Sequence, residues 1–563
     1  MENNIFYKNS FLAVCGWIFL LICLNPVLAD NSNTLHAPLK IRNSDLEFTS
    51  SNLPIVVIDT YGQTILNNPR IRVHMGIIYN GSGKRNYITD PFNNYNGLIN
   101  IEIRGSSGQW KRWPKQQYGF ETQDSLGQNL NVSLIDMPEE NDWILYPPYS
   151  DKSLLRNVLA YHLSNAIGRY ASRTRFCELF LNGDYRGVYV LMEKIKRDKN
   201  RVAISKLRTE DISGDQLTGG YIIKVDRSAG EENAGWVSFY NIDPVFPRPV
   251  IYLYHYPRPD DIVPEQRDYI KNFINDFETL MNKNDWESQY KEYLDMDVFI
   301  DFWIINEIAK NIDSYSLSTF MYKDRDSKDK RLKMGPVWDF NLGFGNANYY
   351  EGEVTEEFIL DRKVRLSDKI PFWLKNLDQN EQTRKLFARR WLTYRENELS
   401  LEKINQFIDA QVDTLKEAST RNFTRWPILG EYVWPNYFVG ETWEEEIEYL
   451  KEWIQARTLW IDQQVMLETT AREALAVSFE LFNNYPNPFN QSTVISFRLK
   501  SPGHIKIELF DVLGREIDQI LDAVKPAGKY SVFYNADGLA TGLYFCRLQL
   551  GRKVFFRKMI CLK

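Results

Sequence analysis

The chain has 563 residues, of which 44% are hydrophobic and 25% are charged, a composition typical of folded globular proteins rather than disordered ones. Its formal net charge of −6 at pH 7 argues against a general nucleic-acid-binding protein. Only 5 histidines occur and no two lie close in sequence, so metal motifs such as HExxH are absent.

The N-terminal residues 1–29 have the pattern of an export signal. A basic residue precedes an apolar stretch from Phe11 to Leu24, and Ala29 supplies the small residue that a signal peptidase requires. The stretch is shorter than the roughly 20 residues that span a bilayer, which favours cleavage over the alternative, an uncleaved anchor. We therefore expect a signal peptide, a polar linker at 30–47 and no membrane-spanning segment in the mature chain.

The next region, up to about residue 230, is rich in predicted strands. Segments such as LPIVVIDT, RIRVHMGIIY and GLINIEIRG are dense in β-branched residues and end at Gly, Asn or Pro. Two further segments flank Asn182-Gly183, which predicts a hairpin. Between them, DKSLLRNVLAYHLSNAIG has helical spacing.

Helices are predicted to dominate from Pro264 to 470. MDVFIDFWIINEIAKN is nearly all apolar, which indicates a buried helix, and residues 331–345 return to a strand pattern. Thr442 and Glu445 have the spacing of a capping box at the start of the last helix.

The final segment, 478–563, changes to short strands and turns after the Pro/Asn-rich FELFNNYPNPFN. Five to seven strands in this length predict a small all-β, Ig-like sandwich. After signal removal the chain retains Cys177, Cys546 and Cys561. Single buried thiols on strands are the favoured interpretation, with pairing of Cys546 and Cys561 as the alternative.

Two aspartates occupy positions that suit phosphoryl transfer. Asp313 follows the apolar helix, and Asp339 ends an apolar strand after an intervening strand pair. Kinase chemistry needs one acid to orient the substrate hydroxyl and another to hold Mg²⁺ on the phosphates. From spacing alone the favoured alternative is structural, because an Asp after a helix is often a cap and an Asp after a strand is often a turn residue.

A Gly/Ser-rich turn at 104–110 and the following Lys115 suggest phosphate binding. Small residues let the backbone approach a phosphate, and a lysine on the next strand could reach it. The alternative is a hairpin with exposed basic residues, and composition alone favours that alternative.

Taken in order, several segments carry a family resemblance: IRGSSGQW, NDWILYPPYSDKSLLRNVLAYHL, CELFLNGDYRGVYVLMEKIKRDKNRV, TGGYIIKVDR, NIDSYSLSTFMYKD and MGPVWDFNLGFG. This set resembles the CotH (spore coat protein H) kinase family. The resemblance implies an α+β fold, with an atypical protein-kinase-like domain at 48–470 whose C-terminal part is helical. It further implies ATP and Mg²⁺ (or Mn²⁺) as cofactors, and phosphorylation of Ser or Thr hydroxyls on secreted or surface proteins.

The same resemblance implies roles for individual residues. Asp313 matches the catalytic aspartate and Asp339 the metal-binding aspartate of a DFG-type motif. Five residues match segments that line the cofactor site: Arg104, Lys115, Glu193, Lys224 and Asp226. Ser318 stands where kinase-like sites place a metal-binding Asn, and Asn341 is a possible substitute ligand. This departure leaves open a pseudokinase, or a non-catalytic, adhesin-like surface protein.

A second resemblance covers the tail. YPNPFNQSTVISFRL, ELFDVLGREI and PAGKYSVFYNADGLATGLYFCRL resemble the type A C-terminal sorting domain of the type IX secretion system. This implies an outer-membrane-surface or secreted location and recognition by the secretion machinery. An adhesion or carbohydrate-binding sandwich is the alternative for this tail. For the large domain, a glycosidase with paired carboxylates is a third hypothesis without supporting motifs.

Overall fold

The computed structural model describes residues 39–40, 47–105, 113–228, 234–240, 249–365, 370–475, 479–499, 502–512, 514–550 and 553–563. The expected signal peptide, most of the expected linker and most of the Gly/Ser-rich turn lie outside these ranges. The chain divides into two compact units. One comprises Met1–Leu154, Ser172–Ile195 and Asp409–Glu431, and the other Leu155–Ala171, Lys196–Ile408 and Tyr432–Lys563.

The first unit is built on β-strands. Its strands are β1 (Leu39–Lys40), β2 (Glu47–Phe48), β3 (Ser50–Ser51), β4 (Ile55–Asp59), β5 (Ile71–Ile78), β6 (Asn86–Tyr87), β7 (Tyr95–Arg104), β8 (Gln117–Gln123), β9 (Asp142–Tyr146), β10 (Thr174–Leu181) and β11 (Asp184–Glu193). Seven strands of the described chain form a closed barrel in the order β10-β11-β9-β8-β7-β5-β4. Neighbouring strands are antiparallel except β4 and β10, whose parallel pairing closes the barrel.

Local sequence explains this barrel. Along β7 and β8, alternate residues such as Ile99, Ile101 and Phe120 are fully or almost fully buried in the core, as period-two patterns predict. The predicted hairpin between β10 and β11 is confirmed: Asn182 and Gly183 take φ values of 52° and 75°, which Asn and Gly adopt most readily.

The second unit combines a sheet with most of the helices. Its first strands are β12 (Tyr221–Val225), β13 (Gly235–Val237), β14 (Ile251–Tyr256), β15 (Thr319–Lys323) and β16 (Lys333–Met334). Within the described ranges these strands form an antiparallel sheet in the order β13-β14-β12-β15-β16.

The α-helices of the chain are α1 (Arg156–Ala166), α2 (Gly214–Leu217), α3 (Pro264–Met281), α4 (Met296–Ala309), α5 (Asp326–Asp329), α6 (Ile359–Arg365), α7 (Trp373–Gln379), α8 (Glu381–Arg395), α9 (Leu401–Arg425) and α10 (Trp443–Leu475). Short 3-10 helices cover Trp286–Ser288 and Tyr290–Glu292. Helix α9 contributes residues to both units. The Thr442 cap at the start of α10 is confirmed, because Thr442 Oγ1 accepts from Glu445 N–H at 3.2 Å.

Helix α4 is the buried helix predicted from its apolar sequence. Asp295 caps its first turn by accepting from the Val298 N–H at 3.3 Å. All of its residues except Asp297 are buried. The helix ends where Lys310 adopts the left-handed conformation with φ 41°, and this places residues 311–318 in a loop directly after a fixed element.

The tail is all-β, as predicted. Its strands are β17 (Phe479–Leu481), β18 (Ser492–Leu499), β19 (Gly503–Asp511), β20 (Glu516–Lys525), β21 (Gly528–Asn535), β22 (Gly542–Leu550) and β23 (Lys553–Cys561). In the described tail they form two antiparallel sheets, β17-β18-β21 and β20-β19-β22-β23. Cys177, Cys546 and Cys561 are buried and free on β10, β22 and β23. The prediction of single buried thiols is therefore confirmed, and pairing of Cys546 with Cys561 is not seen.

Among the described residues, no helix combines the length and the apolar character needed to cross a membrane.

Candidate functional site

The loop after α4 carries Asp313 and is fixed by its neighbours. Lys310 donates from Nζ to the carbonyls of Val354 (2.9 Å) and Glu356 (2.7 Å). Asn311 Oδ1 accepts from the Asp313 N–H at 3.3 Å. Asp313 itself is only partly buried, so its backbone is held by buried residues while its side chain keeps access to solvent.

Asp339 lies on a second loop, after β16 and a turn at Gly335. Gly335 takes φ 104°, a value open to Gly but unfavourable for residues with a Cβ. Asp339 itself has φ 65°, in a region that costs a non-Gly residue energy and tends to occur at functional sites. Its N–H donates to the Tyr161 hydroxyl at 3.2 Å, and the next N–H, of Phe340, donates to Asn157 Oδ1 at 2.6 Å. Helix α1 therefore fixes the backbone around Asp339.

A single buried side chain joins the two aspartate loops. Asn311 accepts from the Asp313 N–H through Oδ1 and donates from Nδ2 to the Asp339 carbonyl at 3.2 Å. Asn311 was assigned no role from the sequence, although it stands two residues before Asp313. This link holds the two loops in register.

The charges of two carboxylates act on a third at this point. Burial first, and then the charges of Asp313 and Asp226, raise the pKa of Asp339 to about 7. Asp226 follows β12 and lies 2.7 Å from Lys224 Nζ. The second unit therefore brings together four sequence-predicted residues: Asp226, Lys224, Asp313 and Asp339. Such mutual repulsion favours binding of a cation.

Asn341 and Ser318 are the two alternative metal ligands proposed from the sequence. Asn341 is 3% exposed, and its Oδ1 has no hydrogen-bond partner among the described residues. Asp339 and Asn341 thus offer carboxylate and amide oxygens, the atoms that Mg²⁺ prefers. Ser318 is partly buried with φ 47°, and the neighbouring Ser316 is the one that donates, from Oγ to the Asp313 carbonyl at 3.3 Å.

No group of three or more His, Cys, Asp or Glu side chains that could hold a metal ion is found in the described ranges. Asp339 and Asn341 remain a candidate pair of oxygen donors, and Asp313 and Asp226 lie close enough to Asp339 to act on it electrostatically. A cation held by the pair would need its remaining oxygen ligands from water or a bound phosphate, an arrangement common for Mg²⁺.

The other three predicted cofactor residues lie in the barrel unit. Lys115 is 2% exposed, and its Nζ donates to the Val188 carbonyl at 2.6 Å and to Asn422 Oδ1 at 2.8 Å. Burial, followed by the charge of Arg186, lowers its pKa well below the usual value. Its placement differs from the exposed hairpin lysine that composition favoured, because the ammonium has exchanged water for two buried oxygens.

Glu193 and Arg104 are also enclosed. Glu193 is fully buried, and its carboxylate pairs with Arg173 Nη1 at 2.8 Å and accepts from the Arg173 N–H at 3.0 Å. Arg104 ends β7, and burial lowers its pKa despite the opposing charges of Glu102 and Asp142.

The aromatic side chain of Tyr349 lies close to two carboxylates of the second unit, Asp313 and Asp339. Burial, followed by the charge of Asp313, raises the pKa of Tyr349, and Asp339 adds to this shift. The Tyr349 ring stacks on Trp434 with centroids 5.7 Å apart. Trp434 is also one of four exposed side chains that we call the aromatic surface. Their exposed fractions are 48% for Tyr350, 56% for Tyr432, 42% for Trp434 and 54% for Tyr437.

Two loops hold this aromatic surface in place. Asn348 Nδ2 donates to the Tyr432 hydroxyl at 2.9 Å, and the Tyr437 N–H donates to the Asn346 carbonyl at 2.8 Å. Sequence reasoning missed it, although the aromatic-rich strings NANYYEG and EYVWPNYF were a visible signal.

Comparison with known proteins agrees with both resemblances. A family model described as CotH kinase protein matches residues 101–461, more than half of the chain. A second, described as secretion system C-terminal sorting domain, matches residues 483–562. No curated protein matches the chain. The sorting domain indicates secretion, cell-surface localisation and interaction with the secretion machinery. The chain belongs to the CotH kinase protein family and carries a secretion-system sorting domain at its C-terminal end.

Proposed function

We propose that this protein is a secreted kinase that transfers the γ-phosphoryl group of ATP to Ser or Thr hydroxyls of extracellular or surface proteins. The observation that supports it best is the joining of two aspartate loops by Asn311, which holds Asp313 and Asp339 in one site. The family match supports the same reaction class.

In this proposal the two aspartates have different tasks. Asp313, whose side chain keeps solvent access, orients the acceptor hydroxyl and takes up its proton as the oxygen attacks the γ-phosphorus. The bond between that phosphorus and the β-phosphate oxygen breaks, and ADP leaves with the electron pair.

Asp339 and Asn341 would hold a divalent cation. The residues present fit this group, because Asn341 Oδ1 is buried without a described partner and Asp339 carries a carboxylate destabilised by its neighbours. When bound, such a cation would supply positive charge to neutralise the negative charge of the phosphates during transfer. Asn311 and α1 fix the backbone of Asp339, the residue whose carboxylate would hold it.

The aromatic surface supports a polypeptide acceptor. Exposed Tyr and Trp side chains provide large contact areas at little conformational cost, and they are enriched where proteins bind each other. We expect Trp434→Ala to raise the KM for a protein acceptor with kcat nearly unchanged, because its exposed ring, which stacks on Tyr349, offers contact area to the acceptor and has no part in the proposed transfer step.

The test is phosphate transfer by the full mature chain from radiolabelled ATP in the presence of Mg²⁺. We expect Asp313→Asn and Asp339→Asn each to lower transfer by at least about 10²-fold. Asp285→Asn, the same chemical change at an exposed position, is the matched control and should leave transfer intact. Equal transfer by all four proteins would refute the proposal.

A second candidate is a surface protein that binds nucleotide without transferring phosphate. Ser318, in place of the expected Asn, favours it, since a hydroxyl is a weaker metal ligand than an amide oxygen. Thermal stabilisation by Mg·ATP without any transfer by the unaltered chain would select this candidate over the kinase.

A further inference from the structure

A cavity of about 280 Å³ lies in the second unit, alongside the strand that leads to Asp339. It is lined by residues from α1 and its C-terminal turn, from α4, and from the stretch 333–337. The lining contains none of the residues Asp226, Asp313, Asp339 and Asn341, so the cavity is separate from the site that they form.

One part of the cavity wall presents hydrogen-bond donors. Arg169 donates from Nε to Asp301 Oδ2 at 2.6 Å, and its remaining guanidinium N–H groups have no partner among the described residues, with the side chain 32% exposed. Tyr322 lies close enough to Arg169 for the charge of the guanidinium to act on the Tyr322 hydroxyl. No hydrogen bond of that hydroxyl is found in the described ranges. Lys333 Nζ lies 3.0 Å from Asp329 and stays 24% exposed.

Two carboxylates also line the cavity, and both are already satisfied. Asp301 accepts from Arg390 at 2.7 and 2.8 Å and from the Tyr394 hydroxyl at 2.8 Å, in addition to Arg169. Asp324 accepts from the Ser205 N–H at 2.9 Å and from the Arg325 N–H at 2.8 Å. Each acid therefore has its own donors, which leaves the open donors of Arg169 and Tyr322 for a ligand.

The rest of the wall is apolar. Val298 and Phe302 of α4, together with Met334, Pro336 and Val337, supply it. A cavity with convergent polar groups on one side and apolar side chains on the other fits a small amphipathic molecule. Because the open donors belong to an arginine and a hydroxyl, and the partly exposed ammonium of Lys333 adds positive charge beside them, the polar end of that molecule should be anionic.

We propose that this cavity binds a small organic anion, a carboxylate or phosphate monoester on an aromatic or branched apolar body, and that the bound anion orders the stretch before Asp339. The anionic group would accept from Arg169, Tyr322 and Lys333. Val337, which lines the cavity, is two residues from Asp339, and the intervening Trp338 stacks on Tyr161, the residue that fixes the Asp339 N–H. Binding of the anion does not depend on the proposed function. Only the second part of the proposal, the ordering of the stretch before Asp339, rests on it, because that ordering matters for catalysis if Asp339 holds metal.

Binding is tested on the full mature chain without nucleotide, by calorimetric titration of benzoate and of phenyl phosphate, with benzyl alcohol as the neutral analogue. We expect saturable binding of at least one of the anions and at least 10-fold weaker binding of the alcohol. Benzoate alone, or phenyl phosphate alone, would assign the carboxylate or the phosphate class. Binding of the alcohol as tight as that of the anions, or no saturable binding at all, overturns the proposal.

Two variants locate the site without depending on each other. Tyr322→Phe removes only a hydroxyl and should weaken anion binding about 10-fold, and Ala203→Trp should block the cavity from an exposed lining position. Lys330→Gln, at a cation that is 53% exposed and that lies outside the lining together with its ion-pair partner Glu292, is the matched control and should bind as the unaltered chain does. Anion binding unchanged in both Tyr322→Phe and Ala203→Trp would overturn the assignment.

Ordering is read separately, by hydrogen exchange of the peptide covering 333–341. We expect the anion to slow its exchange several-fold in the unaltered chain and not in Ala203→Trp. Anion binding that leaves the hydrogen exchange of this peptide unchanged would overturn only the proposed ordering of the stretch before Asp339. Failure of Mg·ATP to bind or react would overturn the proposed function and leave the anion site intact.

Discussion

Glu307, which is fully buried, and Asp339, which is partly buried, are two acids of the same unit with opposite surroundings. The Glu307 carboxylate is fully buried and accepts from the Ile359 N–H at 2.7 Å, the Leu360 N–H at 3.0 Å and the indole of Trp303 at 3.0 Å. Burial raises the pKa of both carboxyl groups, but Arg457 and the two backbone N–H groups oppose that shift at Glu307, whereas Asp313 and Asp226 add to it at Asp339. A buried acid that serves the fold receives donors, whereas one that serves a ligand is left to receive them from that ligand.

Contacts of Glu307 and of its partner Arg457 also fix the backbone of the chain beyond Asp339. Arg457, itself fully buried, lies 3.2 Å from Glu307 Oε2 and donates to the carbonyls of Thr355 (2.7 Å) and Glu357 (2.9 Å). The segment after Asp339 contains several non-Gly residues with positive φ, among them Phe344, Tyr350, Glu351 and Glu357. Such conformations cost energy and persist only where surrounding contacts fix them. The Glu307–Arg457 pair supplies part of that fixation.

The largest effect is expected from breaking the satisfied acid. Glu307→Ala leaves Arg457 buried without its charge partner and two backbone N–H groups without an acceptor. We expect the free energy of unfolding to fall by about 3–5 kcal/mol, measured by urea denaturation.

Glu307→Gln is the matched control, because it keeps an acceptor oxygen and loses only the charge, and it should cost less. A loss below about 1 kcal/mol for Glu307→Ala would contradict the role given to this pair.

A smaller effect of opposite sign is expected at the unsatisfied acid. The folded-state pKa of Asp339, about 7, lies above the unfolded value of about 3.9, so its charge penalises the fold increasingly as pH rises from 4 to 7 and fully above 7. In metal-free buffer at pH 8, Asp339→Asn should therefore stabilise the chain by about 1–2 kcal/mol, after discounting for its partial exposure.

Chemical denaturation at pH 8 and at pH 4 measures this difference. At pH 4 the carboxyl group is protonated in the folded chain, so the gain should disappear. An Asp339→Asn variant that is less stable at pH 8 would mean that the carboxylate has favourable protein contacts and is not poised for a ligand.

The same contrast explains which features could be predicted from the sequence. The loops of Asp313 and Asp339 were predictable because the apolar pattern of α4 and the strand pattern before Asp339 are local signals. The contacts that fix Asp339 were not, since Tyr161 and Asn157 lie 178 and 183 positions away from their partners. Lys115 shows the same limit: its bond to Asn422 spans 307 positions, and no local pattern announces it.

The smallest stability effect should occur at Asn341, and it sharpens the comparison further. Because Asn341 Oδ1 has no described partner, Asn341→Leu, of similar size, should change the free energy of unfolding by less than about 0.5 kcal/mol or raise it. Asn346 is the matched control five positions away: its Nδ2 donates to the Asn341 carbonyl at 2.7 Å, and its Oδ1 accepts from Asn436 at 2.8 Å. Asn346→Leu should therefore cost about 1–3 kcal/mol.

If Asn341 is a metal ligand, the loss caused by Asn341→Leu should appear in the Mg²⁺ concentration that the chain requires and not in the free energy of unfolding of the metal-free chain. We expect Asn341→Leu to raise the Mg²⁺ concentration needed for half-maximal thermal stabilisation by ATP, while the metal-free midpoint stays unchanged. A stability loss as large as that of Asn346→Leu would show that the amide already has a structural partner. In that case Asp339 would hold any cation without Asn341. The contrast between an acid that receives donors from the protein and one left open for a ligand would then rest on Glu307 and Asp339 alone.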